Sequence, residues 1–330
     1  MRRPTLEVVA ARAGVSKSSV SRVINGETTV APQIRDVVMR AVHELGYVPN
    51  GAARNLVTRR TDTVAVVVSD PPQGVVSDDP LFSAVVRAVS RELEKAGKRL
   101  VLMLAESDQS RTRVVQYVAG GHVDGVLLVA LHGTDPLPAA LARQGLPLVS
   151  FNRTWAQDVP YVALDNAGGA ALAVRHLLER GRRRIATITG PLELHEARER
   201  LDGYRQTLRD TGRRSIVALG DFTRTSGAEA MRQLLEDDPD LDAVFAANDL
   251  MAIGALRTLH RAGRRVPDDV AVIGFDDIEA AAYTSPALTS VRSPMADQAT
   301  AAVHLLLGLI DGGPATPVIM PNELVVREST

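Results

Sequence analysis

The sequence predicts an all-α helix-turn-helix headpiece followed by an α/β core of two doubly wound parallel-sheet subdomains. Three observations carry this reading. Charge divides unevenly: residues 1–60 hold ten Lys and Arg against four acids, a net +6, which leaves −7 for the rest. Two helical patterns near the start are separated only by the break Gly14-Val15-Ser16. From Thr63 onward, short apolar runs alternate with amphipathic stretches of about ten to fifteen residues, the texture of βαβ units. At 330 residues the chain suits two or three domains, since single cores rarely exceed about 250 residues.

Composition removes several classes of function. No run approaches the roughly 20 apolar residues of a membrane span. The opening "MRRPTLEVVAARAG" lacks the continuous apolar segment of a secretory signal. There is no cysteine, so disulfide and thiolate chemistry are excluded, in keeping with a reducing compartment. A cytoplasmic protein without membrane contact is expected. No Gly-x-Gly-x-x-Gly follows a strand and no phosphate-binding Walker loop occurs. The seven histidines show no metal-ligand spacing, and "HEARER" lacks the second His of a zinc helix. Asp276 and Asp277 are adjacent, but neighbours leaving a strand point opposite ways and do not share a reaction centre. The sequence therefore predicts no catalytic residue, metal or cofactor.

In the head, Leu6, Val9, Ala10 and Ala13 follow helical spacing behind Thr5, a candidate N-cap. Gly14 breaks that helix, and Ser16 is placed to cap a second one running to about Ile24. On this second helix Val20 and Val23 face inward, while Lys17, Ser18, Ser21 and Arg22 face outward, with Asn25-Gly26 ending it. A third helix spans about Pro32 to Leu45, with Ile34, Val37, Val38, Ala41 and Leu45 on one face and Gly46 as its stop. A basic module with one slim, polar helix is what a polyanion groove admits. "NGAARNLVTRRTDT", from Asn50 to Thr63, reads as a linker whose short helix needs outside support, because about seven residues do not hold a helix alone in water.

In the body, "TVAVVVS", "RLVLMLA", "DGVLLVA" and "LPLVSF" read as buried parallel strands. "RRIATIT", "SIVAL", "DAVFAA" and "VAVIGF" form a second series. Doubly wound sheets bind ligands at strand carboxyl ends, so two such halves make a cleft. At those ends stand Phe151-Asn152-Arg153, the segment carrying Arg198, Arg200 and Tyr204, then Phe222, Asn248-Asp249 and Asp276-Asp277. Amides, carboxylates, a planar guanidinium and an aromatic face together suit a small polyhydroxylated or heterocyclic ligand. Duller roles stay open: Asn248 and Asp276 as helix caps, Arg200 paired with Glu196, Phe222 as core, and Trp155 as either a rim residue or a surface aromatic.

"TLEVVAARAGVSKSSVSRVING", continued by "VAPQIRDVVMRAVHELGYVPNGAARNL", resembles the DNA-binding headpiece of the lactose-repressor (LacI/GalR) family of transcriptional regulators. The likeness runs without a gap through about 60 residues. It implies that Lys17, Ser18 and Arg22 read bases, and that Thr5, Ser16, Ser21, Asn25 and Asn50 hold the phosphate backbone. It further implies a hinge helix that pairs with its copy in the minor groove through Ala53 and Leu56, with Leu56 wedged between base pairs.

"LDNAGGAALAVRHLLERGRRRIATITGP", "AANDLMAIGALRTLHRAGRRVPDDVAVIGFDDI" and "SPALTSVRSPM" are similar to the same family's effector-binding core, which has the fold of periplasmic sugar-binding proteins. That likeness places Arg200, Asn248 and Asp276 on the polar groups of the effector, with Asn152 near, Phe222 stacked and Phe82 closing the opposite face. Ser293 and Met295 would line the crossover. Asn152 departs from the acid of some members, which leaves its role as donor or acceptor open.

The division expected is residues 1–49 headpiece, 50–62 hinge helix and linker, and 63–330 core. The core's first subdomain takes about 63–161 plus 293–318, and its second about 162–292 plus 319–330. The expected partners are double-stranded operator DNA, a second copy of the chain and a small effector, a sugar or sugar derivative. No leucine heptads follow "NELVVREST", which favours a homodimer. Alternatives are purine-type corepressor control, or a sugar-binding protein of transport, which leaves the basic head without a role. Leu56 is the large apolar residue of the hinge, so Leu56→Ala is expected to reduce operator bending. A fluorescence distance assay giving equal bending would reject the wedge.

Overall fold

The computed structural model describes residues 4–24, 27, 29–47, 60–69, 80–130, 135–156 and 158–330, with only the backbone given for 80 and 81. Asn25, Asn50, Ala53 and Leu56 lie outside the described residues. Two compact units result, 1–61 and 62–330.

The first unit contains helices α1 (Leu6–Ala13), α2 (Lys17–Ile24) and α3 (Pro32–Leu45). Its core joins Val9, Ala10 and Ala13 of α1, Val20 and Val23 of α2, and Val38 and Ala41 of α3. Gly14 turns the chain between α1 and α2 with φ 65°, a left-handed conformation that costs a residue without Cβ nothing. Ser16 caps α2: its Oγ accepts from the Ser19 amide at 3.1 Å. Thr5 stands in extended backbone ahead of α1 but makes no side-chain cap bond among the described residues. Val37 departs from the expected inward face, being 42% exposed. The inward stripe is Ile34, Val38, Ala41 and Leu45, with Tyr47 buried beside it.

The second unit holds two six-stranded sheets. The first comprises β1 (Thr63–Ser69), β2 (Arg99–Leu104), β3 (Gly125–Ala130), β4 (Leu148–Phe151), β5 (Tyr161–Leu164) and β11 (Val318–Met320), in the order β11-β5-β4-β3-β1-β2, all parallel. Helices α4 (Pro80–Lys95), α5 (Asp108–Ala119), α6 (Leu137–Ala142) and α11 (Met295–Ile310) cover it. β1 is buried at every position, and its side chains serve both faces by simple alternation. Val64, Val66 and Val68 pack with Val85, Val89 and Leu93 of α4 and with α11. Ala65 and Val67 pack with Val114 and Val118 of α5 and with Leu137 and Leu141 of α6.

The second sheet comprises β6 (Ile185–Thr189), β7 (Ile216–Leu219), β8 (Ala243–Ala246), β9 (Ala271–Asp276), β10 (Thr289–Arg292) and β12 (Glu323–Val325), in the order β12-β10-β9-β8-β6-β7. Its strands are parallel except β12, which runs antiparallel to β10. Helices α7 (Asn166–Glu179) and α8 (His195–Asp210) pack on one face, and α9 (Arg224–Asp237) and α10 (Asp249–Arg261) on the other.

Two strands read as buried lie at sheet edges instead. β2 leaves Leu102 and Leu104 at 42% and 47% exposure, and β7 leaves Leu219 at 70%. Hydrophobic content marks a strand but not its place in the order. The sequence reading did not single out β5 or β11. They carry the first sheet to Leu164 and Met320 rather than ending it near 161 and 318. The chain passes between the halves at Asp165, at Ser293-Pro294 and at Pro321-Asn322. The first and third crossings are tied together, since Asp165 N donates to Met320 O at 2.9 Å and Asn322 Nδ2 donates to Asp165 O at 2.6 Å.

Helices α9 and α10 approach so closely that a Cβ on Gly254 would sit 2.1 Å from the Arg224 carbonyl oxygen. Alanine is the better helix former by about 1 kcal/mol, yet Gly254→Ala is expected to destabilise the core by about 1–3 kcal/mol through overpacking. Urea unfolding measures this, and an unmoved midpoint would contradict the close approach.

Candidate nucleic-acid interface and ligand cleft

On the first unit, α2 turns its valines inward and leaves Ser16, Lys17, Ser18 and Arg22 exposed, with Ser21 half-buried and Thr5 exposed ahead of α1. Two surface ion pairs hold the cations. Lys17 Nζ binds Glu7, and this pairing lowers the Glu7 carboxyl to about 2. Arg22 lies 3.8 Å from Glu27. All four side chains are about half exposed or more. Such pairs contribute little in water, so phosphates can replace the carboxylates as partners at small cost.

The second unit gathers polar groups at the carboxyl ends of its strands. Arg200 of α8 is the centre, at 6% exposure. Its Nε donates to Asn166 Oδ1 at 2.9 Å, Nη1 donates to the Ala247 carbonyl at 2.5 Å, and Nη2 lies 3.6 Å from Asp276 Oδ1. The guanidinium also sits 3.7 Å over the Phe275 ring, a cation–π contact strengthened by burial. Glu196, one turn earlier, feels the charge of Arg200, but burial dominates and pushes its carboxyl up. Among the described residues the ion pair of Arg200 is with Asp276.

Asp276 and Asp277 leave β9 with φ 103° and 55°, and this backbone sends them apart. Asp276 Oδ1 accepts from Ser293 Oγ at 3.1 Å. Asp277 is taken by Arg292 at 2.8 Å and Arg327 at 2.6 Å. Beneath them Asp249 is fully buried, accepting from Ser290 Oγ at 2.6 Å and from the Ile278 amide at 2.8 Å. Burial, reinforced by the nearby Asp276 charge, pushes its carboxyl well up.

Asn248 caps α10, its Oδ1 accepting from Met251 N at 2.9 Å, while Nδ2 donates to Phe222 O at 3.0 Å. Phe222 is half-buried, with φ 70°, and its ring lies over Gly190, where a Cβ would meet it at 2.2 Å. In the first half Asn152 Oδ1 accepts from Gln298 Nε2 at 2.8 Å, so its carbonyl is engaged. Phe82 and Met295 are half-buried on the first-half core.

Arg200, Asp276 and Ser293 are thus in direct contact, and Phe222 and Asn248 form a second contact beside Ala247. Tyr204 does not join them. It is fully buried, its hydroxyl donating to Ile185 O at 2.8 Å and accepting from Ile216 N at 2.9 Å, and burial pushes it up to about 12. Its place on α8, one turn beyond Arg200 along nearly the same face, carries it away from the strand carboxyl ends to the start of β6 and β7, at Ile185 and Ile216. Sequence reasoning named Asp249 at a strand end but missed Asn166, Glu199 and Gln298. Only Gln298 carried a signal, its helical spacing from Met295.

Comparison with known proteins bears on both units. Residues 5–50 match the model for bacterial regulatory proteins, lacI family, and residues 174–330 match a periplasmic binding protein-like domain. The HTH-type transcriptional regulator CelR of Thermobifida fusca is 48% identical over 336 residues, covering 99% of this chain and 98% of CelR. The chain belongs to the lacI family of bacterial regulatory proteins.

This lacI-family regulator is also 33% identical to the ribose operon repressor of Halalkalibacterium halodurans, over 99% of the chain and 97% of the relative. Among solved structures, a CelR–cellobiose complex is 46% identical with a TM-score of 0.78, covering 99% of this chain and 100% of that one. The lac repressor dimer bound to operator and the anti-inducer ONPF is 27% identical with a TM-score of 0.86, covering 100% and 99%. These relatives are transcriptional regulators, not enzymes. Among the described residues no helix is long and apolar enough to cross a membrane, and no cluster of side chains could hold a metal ion.

Proposed function

We propose that the chain is a repressor that binds an inverted-repeat operator as a homodimer and responds to a sugar of the cellobiose class in the cleft of its core. The observation that carries the ligand reading is the Arg200–Asp276 pair at 3.6 Å, set beside Ser293 at the strand ends. A buried guanidinium fork and a carboxylate bind neighbouring hydroxyls in two directions at once. One solved relative supports the sugar: the 46% identical CelR structure described as a cellobiose complex. The lac repressor structure, a dimer on operator, supports the assembly.

In this reading residues 1–49 read DNA, 50–62 form the hinge and 63–330 bind the effector. Lys17, Ser18 and Arg22 meet base edges. Thr5, Ser16, Ser21, Asn25 and Asn50 meet phosphates, and Ala53 and Leu56 enter the minor groove. Arg200, Asp276, Asn248, Asn152 and Ser293 hold the sugar hydroxyls, and Phe222, Phe82 and Met295 cover its apolar faces. Asn248 acts partly through Phe222, whose carbonyl it holds. The protein works in the cytoplasm, at the nucleoid, and no residue is assigned a catalytic step.

The effector acts by shifting a population, and it moves the balance only by the difference of its affinities for the two states. Turning a 1:99 ratio into 99:1 takes about 5.5 kcal/mol. The reading is tested by selecting genomic fragments with the full-length protein, with and without cellobiose; no preference over bulk DNA would overturn it. Arg22→Ala is expected to weaken operator binding by about 1–3 kcal/mol if the contact is bidentate; an unchanged titration at fixed salt would count against α2 as the reading helix. Asp276→Ala is expected to abolish the cellobiose response while operator binding persists. A normal response from that variant would place the sugar elsewhere.

A further inference from the structure

Trp155 lies four residues beyond the end of β4, in the first half of the core. It nevertheless makes its contacts with the second half. Its indole N–H donates to Glu193 O at 2.9 Å, its rings stack on His195 at 3.7 Å between centroids, and the Arg198 guanidinium lies 5.1 Å from its ring. Nearly half of the residue, 48%, stays exposed. Arg200, by contrast, is 6% exposed. Burial therefore falls from Arg200 at the floor to Trp155 at the mouth, and both stand at carboxyl ends of strands.

Arg153, two residues before Trp155, lies 3.3 Å from Glu199, Glu199 accepts from Asn166 at 3.1 Å, and Asn166 accepts from Arg200 at 2.9 Å, so Glu199 and Asn166 stand between floor and mouth. A single pyranose ring engaged by Arg200 and Asp276 occupies the floor and stops short of the indole. A second ring joined to it reaches the mouth. Stacked rings and the Glu193 hydrogen bond fix the orientation of the indole, and a fixed aromatic face suits the C–H face of a sugar. Burial first, then Arg153 and Arg198, lowers the titration of the His195 ring beneath the indole.

We infer that Trp155 is a specificity-determining residue, the aromatic wall of an outer subsite that selects two-ring sugars over single-ring ones. This inference rests on the sugar reading above and adds the place of the second ring.

Calorimetric titration of the full-length protein with cellobiose and with glucose tests it. The unsubstituted protein is expected to bind cellobiose more tightly than glucose. Trp155→Ala is expected to weaken cellobiose by about tenfold, the order of one aromatic contact, and to leave glucose unchanged. Trp155→Phe, which keeps a ring without the N–H, is expected to retain most of the preference, and covers the case in which the alanine variant fails to fold. Equal losses for both sugars would show that Trp155 only closes the mouth, and no loss for either would show that it is a surface aromatic; both outcomes overturn the inference. Failure of the unsubstituted protein to bind either sugar would overturn the sugar reading itself, and with it this subsite.

Discussion

The carboxyl end of the second sheet depends on one buried cation. Arg200 has lost nearly all its water, and a guanidinium in that position is tolerable only with partners on every side. Asn166, the Ala247 carbonyl, Asp276 and the face of Phe275 supply them. Two of these partners adjoin points where the chain changes halves: Asn166 follows the crossing at Asp165, and Asp276 binds Ser293 within the second. The charge is therefore wired to the joints of the core.

From that centre a polar chain runs outward. Asn166 Nδ2 donates to Glu199 Oε2 at 3.1 Å, Glu199 Oε1 lies 3.3 Å from Arg153 of the other half, and Arg153 donates to the Tyr161 hydroxyl at 2.8 Å. Floor and mouth are thus connected through side chains on both halves. A ligand that engages Arg200 acts on a network already spanning the cleft, which is how a small molecule obtains different affinities for two arrangements of one protein.

Much of this was legible in the sequence because it is periodic or local. The inward valines of α2, the turn at Gly14 and the cap at Ser16 follow from spacing within a few residues. Alternation along β1 feeds both faces of its sheet, and the run TVAVVVS is buried throughout. Strand order is not local, so the apolar runs of β2 and β7 gave no sign of lying at edges. β11, at three residues, is too short to stand out from a loop, whereas β5 matches β4, β7 and β8 at four residues and was passed over for no reason of length. Tyr204 looked like a ligand group because it sits near Arg200 in sequence; one further helical turn carries it down to the start of β6 and β7. Gln298 and Asn166 escaped because their importance lies in partners far along the chain, Gln298 bonding Asn152 and Val162 O at 2.8 Å each.

The three short passages between the halves carry one more consequence. Three neighbouring straps, two of them laced together by Asp165 and Asn322, resist sliding and pulling apart, because either motion would have to stretch all of them together. What they leave free is a swing, like a door on a row of pins. The message a bound molecule can send out of such a core is an angle, and any reader of that message must be built to notice rotation.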